Sequence, residues 1–300
     1  MLPAASALVT LRSLPEGDAK RKAFAGFGDP IFNQGQLTSD QLMPGKKIKG
    51  IAAGNADLAS ISNPVQVRGV RITAKGKLDD SNIASMQLNA LERLPDTSEE
   101  VMSIAKVLGA NLQEDVFLRK DFSESRVKTM NLADRKVIVF ATHALIPGDL
   151  DGLDQPALAA SSPAVVGEAG DGLLTMEEIL KLKLNADWVV LSACNTGAAE
   201  GQGAEAISGI GKSFFYAGTR ALLVTMWPVE TTSARKLVTG IFQKQQEDKT
   251  LSRAQALRQS ILNIIDKDIL KNETSGKIIA SYAHPLFWAP FIIVGDPGGN

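Results

Sequence analysis

The sequence predicts an α/β fold in which helices cover both faces of a mostly parallel sheet. Apolar, β-branched runs at 136–142, 188–193 and 220–226 are typical of strands that are buried on both faces. Segments with helical periodicity separate these runs, and such alternation indicates parallel strands joined by right-handed crossovers. All parallel strands then end at one edge of the sheet, where α/β proteins place ligands and catalytic groups.

Capping signals and periodicity predict the individual helices and strands. Residues 1–94 are rich in Gly, Ala, Ser and Asn and predict only short strands and loops. A regular pattern begins near residue 95, so we divide the chain into an N-terminal part, 1–94, and a main α/β part, 95–300. The capping-box sequence Thr97–Glu100 predicts the start of a helix that Gly109 ends. The later predicted elements are strands at 115–118, 136–142, 188–193, 220–226 and 291–294, helices at 124–133, 175–184, 204–217, 232–246 and 252–266, and a long loop at 144–172.

Composition narrows the class of protein. Lys and Arg total 32 and Asp and Glu total 33, and this net charge of −1 argues against a nucleic-acid partner. The longest apolar stretch, 214–227, is interrupted by Arg220, so no membrane segment is expected. The N-terminus has no basic region before its apolar stretch and therefore does not resemble a signal peptide. These observations predict a cytoplasmic globular protein.

Two reactive side chains follow predicted neighbouring strands directly. His143 follows the strand that ends at Thr142, and Cys194, the only cysteine, follows the strand that ends at Ala193. Neighbouring strands lie about 4.8 Å apart, so an imidazole and a thiol can meet at this edge. A thiol beside an imidazole can be held as the nucleophilic thiolate. The alternative is structural: a buried cysteine that packs as a small apolar residue, and a hydrogen-bonded core histidine.

Several segments together are similar to a known family. Residues 96–295 resemble a CHAT domain, a bacterial relative of the caspases and separases. The segments that carry the resemblance are 140–143 (FATH), 171–180 (DGLLTMEEIL), 188–197 (WVVLSACNTG), 217–229 (AGTRALLVTMWPV), 284–291 (HPLFWAPF) and, near the start of the chain, 26–30 (GFGDP). The resemblance implies a caspase-like fold and a cysteine endopeptidase without a cofactor, which cleaves a protein or peptide. His143 would be the general base and Cys194 the nucleophile.

The candidate residues that contact the oxyanion or the substrate are Ala144, Ser192, Asp171 and Trp227. Ser192 falls where caspases carry a glutamine of the pocket for the residue before the cut. Trp227, with Pro228, is expected to line the substrate groove because it leaves the same sheet edge. Ala144 departs from the family, which commonly carries Gly after the histidine, so a scaffold that binds peptides or partners without cutting remains the alternative.

The loop after His143 is acidic and has no Lys or Arg. Its acids are Asp149, Asp151, Asp154, Glu168 and Asp171. They are either a solvated surface or a negative rim that favours Arg or Lys just before the cut. A calcium site at 149–154 is a weaker alternative, because its glycine is misplaced for an EF-hand.

Other motifs favour structural roles. Residues 208–213 resemble a P-loop and 201–206 a dinucleotide fingerprint, but the first lies inside a predicted helix and the second begins too far from its strand. A nucleotide-binding protein that uses these residues is the third and weakest alternative. His284 is expected to be structural. CHAT domains often stand beside helical repeats, and we expect this chain to be a fragment of a longer parent protein with such repeats as partners.

Overall fold

The fold was obtained as a computed structural model. The described residues are 9, 11–13, 17–42, 88–150, 152–192, 202–267, 269–271 and 278–298. The described strands are β1 (Lys22–Gly28), β2 (Val116–Leu118), β3 (Arg135–Ala141), β4 (Ala144–Leu145), β5 (Ala157–Ala159), β6 (Leu173–Thr175), β7 (Trp188–Leu191), β8 (Ala221–Thr225), β9 (Ile269–Lys271), β10 (Ile278–Ser281) and β11 (Phe291–Gly295). The described helices of four residues or more are α1 (Gln34–Leu42), α2 (Asp96–Val107), α3 (Glu124–Thr129), α4 (Pro163–Val166), α5 (Met176–Lys181), α6 (Gln202–Ala217), α7 (Thr231–Glu247) and α8 (Arg253–Lys267).

The central sheet has six strands in the order β11-β8-β7-β3-β1-β2. Neighbours from β8 to β2 pair in parallel, and β11 pairs antiparallel with β8. This confirms the predicted α/β, mostly parallel, caspase-like architecture. Strand β1 comes from the part of the chain before residue 95 and lies between β3 and β2, so both parts of the predicted division contribute to one sheet.

Helices pack on both faces of this sheet because successive strand residues point to opposite sides. In β3, Phe140 packs on the face that also buries Phe214 of α6, whereas Val139 packs on the face that buries Leu237 of α7. The Phe27 and Phe140 rings of neighbouring strands are stacked with centroids 5.1 Å apart. Alternate residues of one strand therefore build two separate core layers.

The two predicted capping boxes had different outcomes. The box at Thr175 is confirmed, because its side chain accepts the Glu178 N–H while the Glu178 carboxylate accepts the Thr175 N–H. The box at Thr97 is wrong. The N-cap of helix α2 is Pro95, two residues earlier, without a side-chain cap, and the Thr97 hydroxyl instead donates to the Leu94 carbonyl. Thr97 lies inside the helix, and its hydroxyl also accepts the Asp29 N–H at 2.7 Å, a tertiary contact described below.

The predicted loop at 144–172 is wrong in part. It contains β4, β5 and the short helix α4, and β4-β5-β6 form a small antiparallel sheet. Strands of two or three residues are too short to show the alternation that predicts a strand. This layer has its own apolar cluster, which includes Phe32, Leu145 and Leu173, and it begins directly after His143.

Helix α6 contains the P-loop-like residues 208–213, including Lys212. A P-loop needs these residues in a loop before the helix, so the structure contradicts a phosphate-binding site here. The predicted end of this helix at residue 217 is confirmed, and Gly218 follows it with a φ of +114°. A Cβ at this position would lie 2.3 Å from the Leu184 carbonyl oxygen, so only glycine fits. No helix in the described part of the chain is long and apolar enough to cross a membrane.

Candidate active site

Several of the predicted site residues lie at the carboxyl edge of the sheet, beyond the ends of three strands. His143 follows β3, Ser192 follows β7 and Trp227 follows β8. Asp29, which follows β1, joins them and was not predicted. Cys194 lies outside the described residues. Since polar side chains follow neighbouring parallel strands here, this edge is the candidate active site.

His143 is held by a backbone carbonyl. Its side chain is buried, with the residue only 1% exposed, and its Nε2 lies 2.7 Å from the carbonyl oxygen of Glu92. A carbonyl oxygen can only accept, so this contact requires a proton on Nε2. In the neutral imidazole, Nδ1 is then the nitrogen that carries a lone pair. The Phe32 ring packs against the imidazole with centroids 5.6 Å apart.

Arg93, which follows Glu92 in the chain, forms a buried ion pair with Asp29. The Asp29 carboxylate is completely buried and accepts two hydrogen bonds from Arg93, at 2.7 Å from Nε and 2.8 Å from Nη2. Arg119 Nε lies 3.3 Å from the same carboxylate. Sequence analysis missed these three residues as site residues. The segment 26–30, which ends in Asp29-Pro30, was a signal for the first of them.

Ala144 has ordinary strand backbone. It pairs with Leu158 across β4 and β5, and its φ is not positive. The departure from glycine therefore carries no left-handed strain. Ser192 is 1% exposed and donates its backbone N–H to the Phe140 carbonyl at 2.9 Å, so it continues the pairing of β7 with β3. Trp227 is 37% exposed beyond the end of β8.

Asp171 lies in a charged cluster with Glu124, Glu178 and Lys128. Its Oδ1 accepts the Leu173 N–H at 2.8 Å, and its own N–H donates to Glu124 at 3.2 Å. Burial, with Glu124 and Glu178 nearby, raises the pKa of Asp171. Hydrogen bonds to Glu124 and Glu178 raise the pKa of Lys128. Burial alone would raise the pKa of Glu178, but the hydrogen bonds from Lys128 and from Thr175 lower it.

The other candidates have structural contacts. Asp149 accepts the Ile146 N–H at 2.8 Å, as in a turn, and the described residues contain no group of three side chains suited to a metal ion. Asp151 of the predicted acidic loop lies outside the described residues. His284 caps a short 3₁₀ helix, Pro285–Phe287, by accepting the Leu286 N–H on Nδ1 at 3.2 Å, which agrees with the expected structural role.

Comparison with known proteins decides the family. The sequence model of the CHAT domain matches residues 1–296. The chain belongs to the CHAT domain family. The match begins well before residue 96 and includes strand β1. The CHAT domain is also similar to part of tetratricopeptide repeat protein 28 of Homo sapiens, with 22% identity over 232 residues. That match covers 68% of this chain and 8% of the human protein.

Proposed function

We propose that this CHAT domain is a cysteine endopeptidase in which His143 is the general base and Cys194 the nucleophile. One observation carries the proposal: the Glu92 carbonyl occupies Nε2 of His143 at 2.7 Å. This contact leaves Nδ1 as the nitrogen that can accept a proton from a thiol. A structural histidine can make the same contact, so the proposal also uses the position of His143 at the carboxyl edge of the sheet.

The strand register supports the pairing of these two residues. Phe140 of β3 lies opposite Leu191 of β7. His143 and Cys194 each follow this pair by three residues in the sequence. Two parallel strands that leave the sheet in register bring such residues to the same edge, about one strand spacing apart.

In the proposed reaction, His143 Nδ1 takes the thiol proton and the Cys194 sulfur attacks the scissile carbonyl carbon. The C–N bond then breaks, and the imidazolium gives its proton to the leaving amine. A water molecule hydrolyses the thioester after His143 removes its proton, and the thiol is restored. A free thiol must persist for this reaction, and a reducing compartment such as the cytoplasm favours that state.

The proposal assigns substrate contacts to the remaining predicted residues. Ala144 would donate its backbone N–H to the oxyanion, and Ser192 would lie beside the pocket for the residue before the cut. Trp227 is exposed enough to pack on a peptide. The partly exposed Asp171, with the exposed Asp154 and Glu168, would favour an Arg or Lys just before the cut. The name of the human relative supports helical repeats as neighbours in a longer parent chain.

One observation favours a second candidate, a scaffold that binds a peptide without cutting it. His143 is only 1% exposed, so a substrate has little direct access to its imidazole in this conformation. A scaffold uses the carboxyl edge as a binding surface and needs no access to the base.

Peptide-library digestion read by mass spectrometry tests the first candidate against the second. The parent should produce cuts with one dominant preference. Cys194→Ala should produce none while it remains folded. His143→Ala should cut about 10²–10⁴-fold more slowly, because the thiol loses its base. The double variant should be no worse than Cys194→Ala, since the two groups act together. Peptides that bind to the parent but remain whole would favour the scaffold.

A further inference from the structure

We propose that Asp29 is a positioning residue for His143, and that it acts through Arg93 and the carbonyl of Glu92. This inference rests on the proposed function, in which His143 is the base. Asp29 is not a catalytic residue in this account, because a chain of contacts through Arg93 and the 92–97 segment separates it from the imidazole.

The first contact is a bidentate ion pair, or fork, between Asp29 and Arg93. The two carboxylate oxygens of Asp29 each accept a bond from a different nitrogen of Arg93, at 2.7 and 2.8 Å. Two parallel bonds fix the direction of the guanidinium and also its rotation. Both side chains are largely shielded from water, with 0% and 11% of their surfaces exposed. Arg93 follows Glu92 in the chain, so the carbonyl that contacts His143 belongs to the peptide group that joins these two residues.

A second contact holds the far end of the same segment. The Asp29 N–H donates to Thr97 Oγ1 at 2.7 Å, and this hydroxyl donates to the Leu94 carbonyl at 2.7 Å. Asp29 therefore binds the segment 92–97 at both of its ends. This contact also explains why Thr97 does not cap helix α2.

Backbone strain concentrates at the same place. Asp29 has a φ of +50° and Arg119 a φ of +58°, and they are the only described residues other than glycine with positive φ. The two are joined, because the Arg119 N–H donates to the Asp29 carbonyl at 3.1 Å. Such strain persists only where several contacts over-determine the conformation, and it concentrates at functional sites.

The chain of contacts has a chemical consequence. While the Glu92 carbonyl stays in place, it keeps a proton on Nε2 of His143 and leaves Nδ1 unprotonated. If Arg93 loses its fork, this carbonyl shifts and the proton can move to Nδ1. A base in the wrong tautomer cannot accept the thiol proton. Asp29 thus controls which nitrogen of His143 is basic.

The tautomer can be read directly, because the chain has only two histidines. In protein labelled with ¹⁵N-histidine, NMR spectra separate protonated from unprotonated ring nitrogens, and His284→Asn assigns the signals. In the Cys194→Ala background, where no thiol can give its proton to the ring, neutral His143 should be protonated on Nε2 alone. Asp29→Asn, which keeps the shape of the side chain and tolerates positive φ, should show a mixture of both tautomers.

A second buried Asp–Arg pair provides a matched control. Arg135 donates to Asp115 at the opposite edge of the sheet, and both side chains are as well buried as that of Arg93. Asp115→Asn should lower thermal stability but leave the His143 tautomer and the cleavage rate per folded molecule unchanged. If Asp115→Asn changes the tautomer as Asp29→Asn does, the effect is general loosening and the proposal is wrong.

Kinetics supply the second readout. Asp29→Asn and Arg93→Gln should each lower kcat about 10²-fold with KM within twofold, because the base is misplaced while the groove is intact. The double variant should equal either single one. If Asp29→Asn does not fold, Arg93→Lys, which keeps the charge but not the fork, takes its place with the same expected loss.

The two hypotheses can fail separately. A parent that cuts no peptide but shows the Nε2 tautomer, lost in Asp29→Asn, contradicts the peptidase and retains the positioning role. A parent that cuts, with an Asp29→Asn variant that keeps both kcat and tautomer, contradicts the positioning role alone.

Discussion

Each edge of the central sheet carries a buried Asp–Arg ion pair, but the backbone conformation at the two pairs differs. At the amino edge, Asp115 and Arg135 form a buried pair, and neither has a positive φ. At the carboxyl edge, Asp29 and Arg93 form an equally buried pair, but Asp29 and its neighbour Arg119 have positive φ. The difference teaches that an ion pair alone serves to join strands. At Asp29, positive φ accompanies the pair, and Arg93 of this pair adjoins the Glu92 carbonyl that contacts His143.

The largest expected effect comes from breaking each pair. Asp115→Ala should cost about 3–5 kcal/mol of unfolding free energy, because it leaves Arg135 buried without its carboxylate. Asp29→Ala should cost the same and a further 1–2 kcal/mol or so, because alanine is strained at a φ of +50°. Denaturant unfolding of the two variants measures both values. Equal losses would show that the strained backbone at Asp29 relaxes freely, and the comparison of the edges would fail.

The glycine and alanine variants should have opposite orders of stability at positions 29 and 115. At position 29, glycine should be more stable than alanine by about 1–2 kcal/mol, because it adopts positive φ without strain. At position 115, alanine should be more stable than glycine by roughly 0.5–1 kcal/mol, because the backbone there is ordinary. The four variants can be compared by their denaturation midpoints. The same order of glycine and alanine at both positions would contradict the difference in backbone conformation between the two edges.

The smallest effect concerns a third acid, Asp171, whose charge is not neutralised as that of Asp29 is. Burial and two nearby glutamates raise its pKa above the ordinary 3.8. The ionised form is therefore penalised in the folded protein, and the penalty disappears as pH falls through the folded pKa. Asp171→Asn keeps the acceptor for the Leu173 N–H, so it should gain a few tenths of a kcal/mol at pH 7.

Thermal unfolding of Asp171→Asn and the parent at pH 7 and near pH 3 checks this gain. It should be present at the higher pH and absent at the lower one. A gain that persists near pH 3 would mean that charge is not its cause. A raised KM in the same variant would support the proposed contact with substrate.

Sequence patterns predicted the centre of the sheet because strands β3, β7 and β8 each lie within an apolar, β-branched run. The strands β3, β7 and β8 and the helices α6, α7 and α8 lie within a few residues of their predicted bounds. Strand β1 was not singled out, because its sequence, KAFAGFG, mixes glycine and alanine with only two large apolar residues. Its burial depends on neighbours that are distant in the sequence.

From the sequence, only those site residues could be predicted whose side chains are reactive and follow a recognisable strand. His143 was found because it follows a recognisable strand. The Glu92 carbonyl was not found, since every residue has a carbonyl and only the fold selects this one. Asp29, Arg93 and Arg119 come from three separate segments, and nothing local in the sequence shows that they meet.

The reactivity of Cys194 tests the central claim most directly, because it is the only cysteine and no substrate is needed. The rate of its alkylation by iodoacetamide should be measured from pH 5 to 9 in the parent and in His143→Ala. We predict fast alkylation of the parent well below pH 8.5, and a His143→Ala variant that behaves as a free thiol with a pKa of about 8.5. Identical profiles for the two proteins, both those of a free thiol, would contradict a His143–Cys194 dyad.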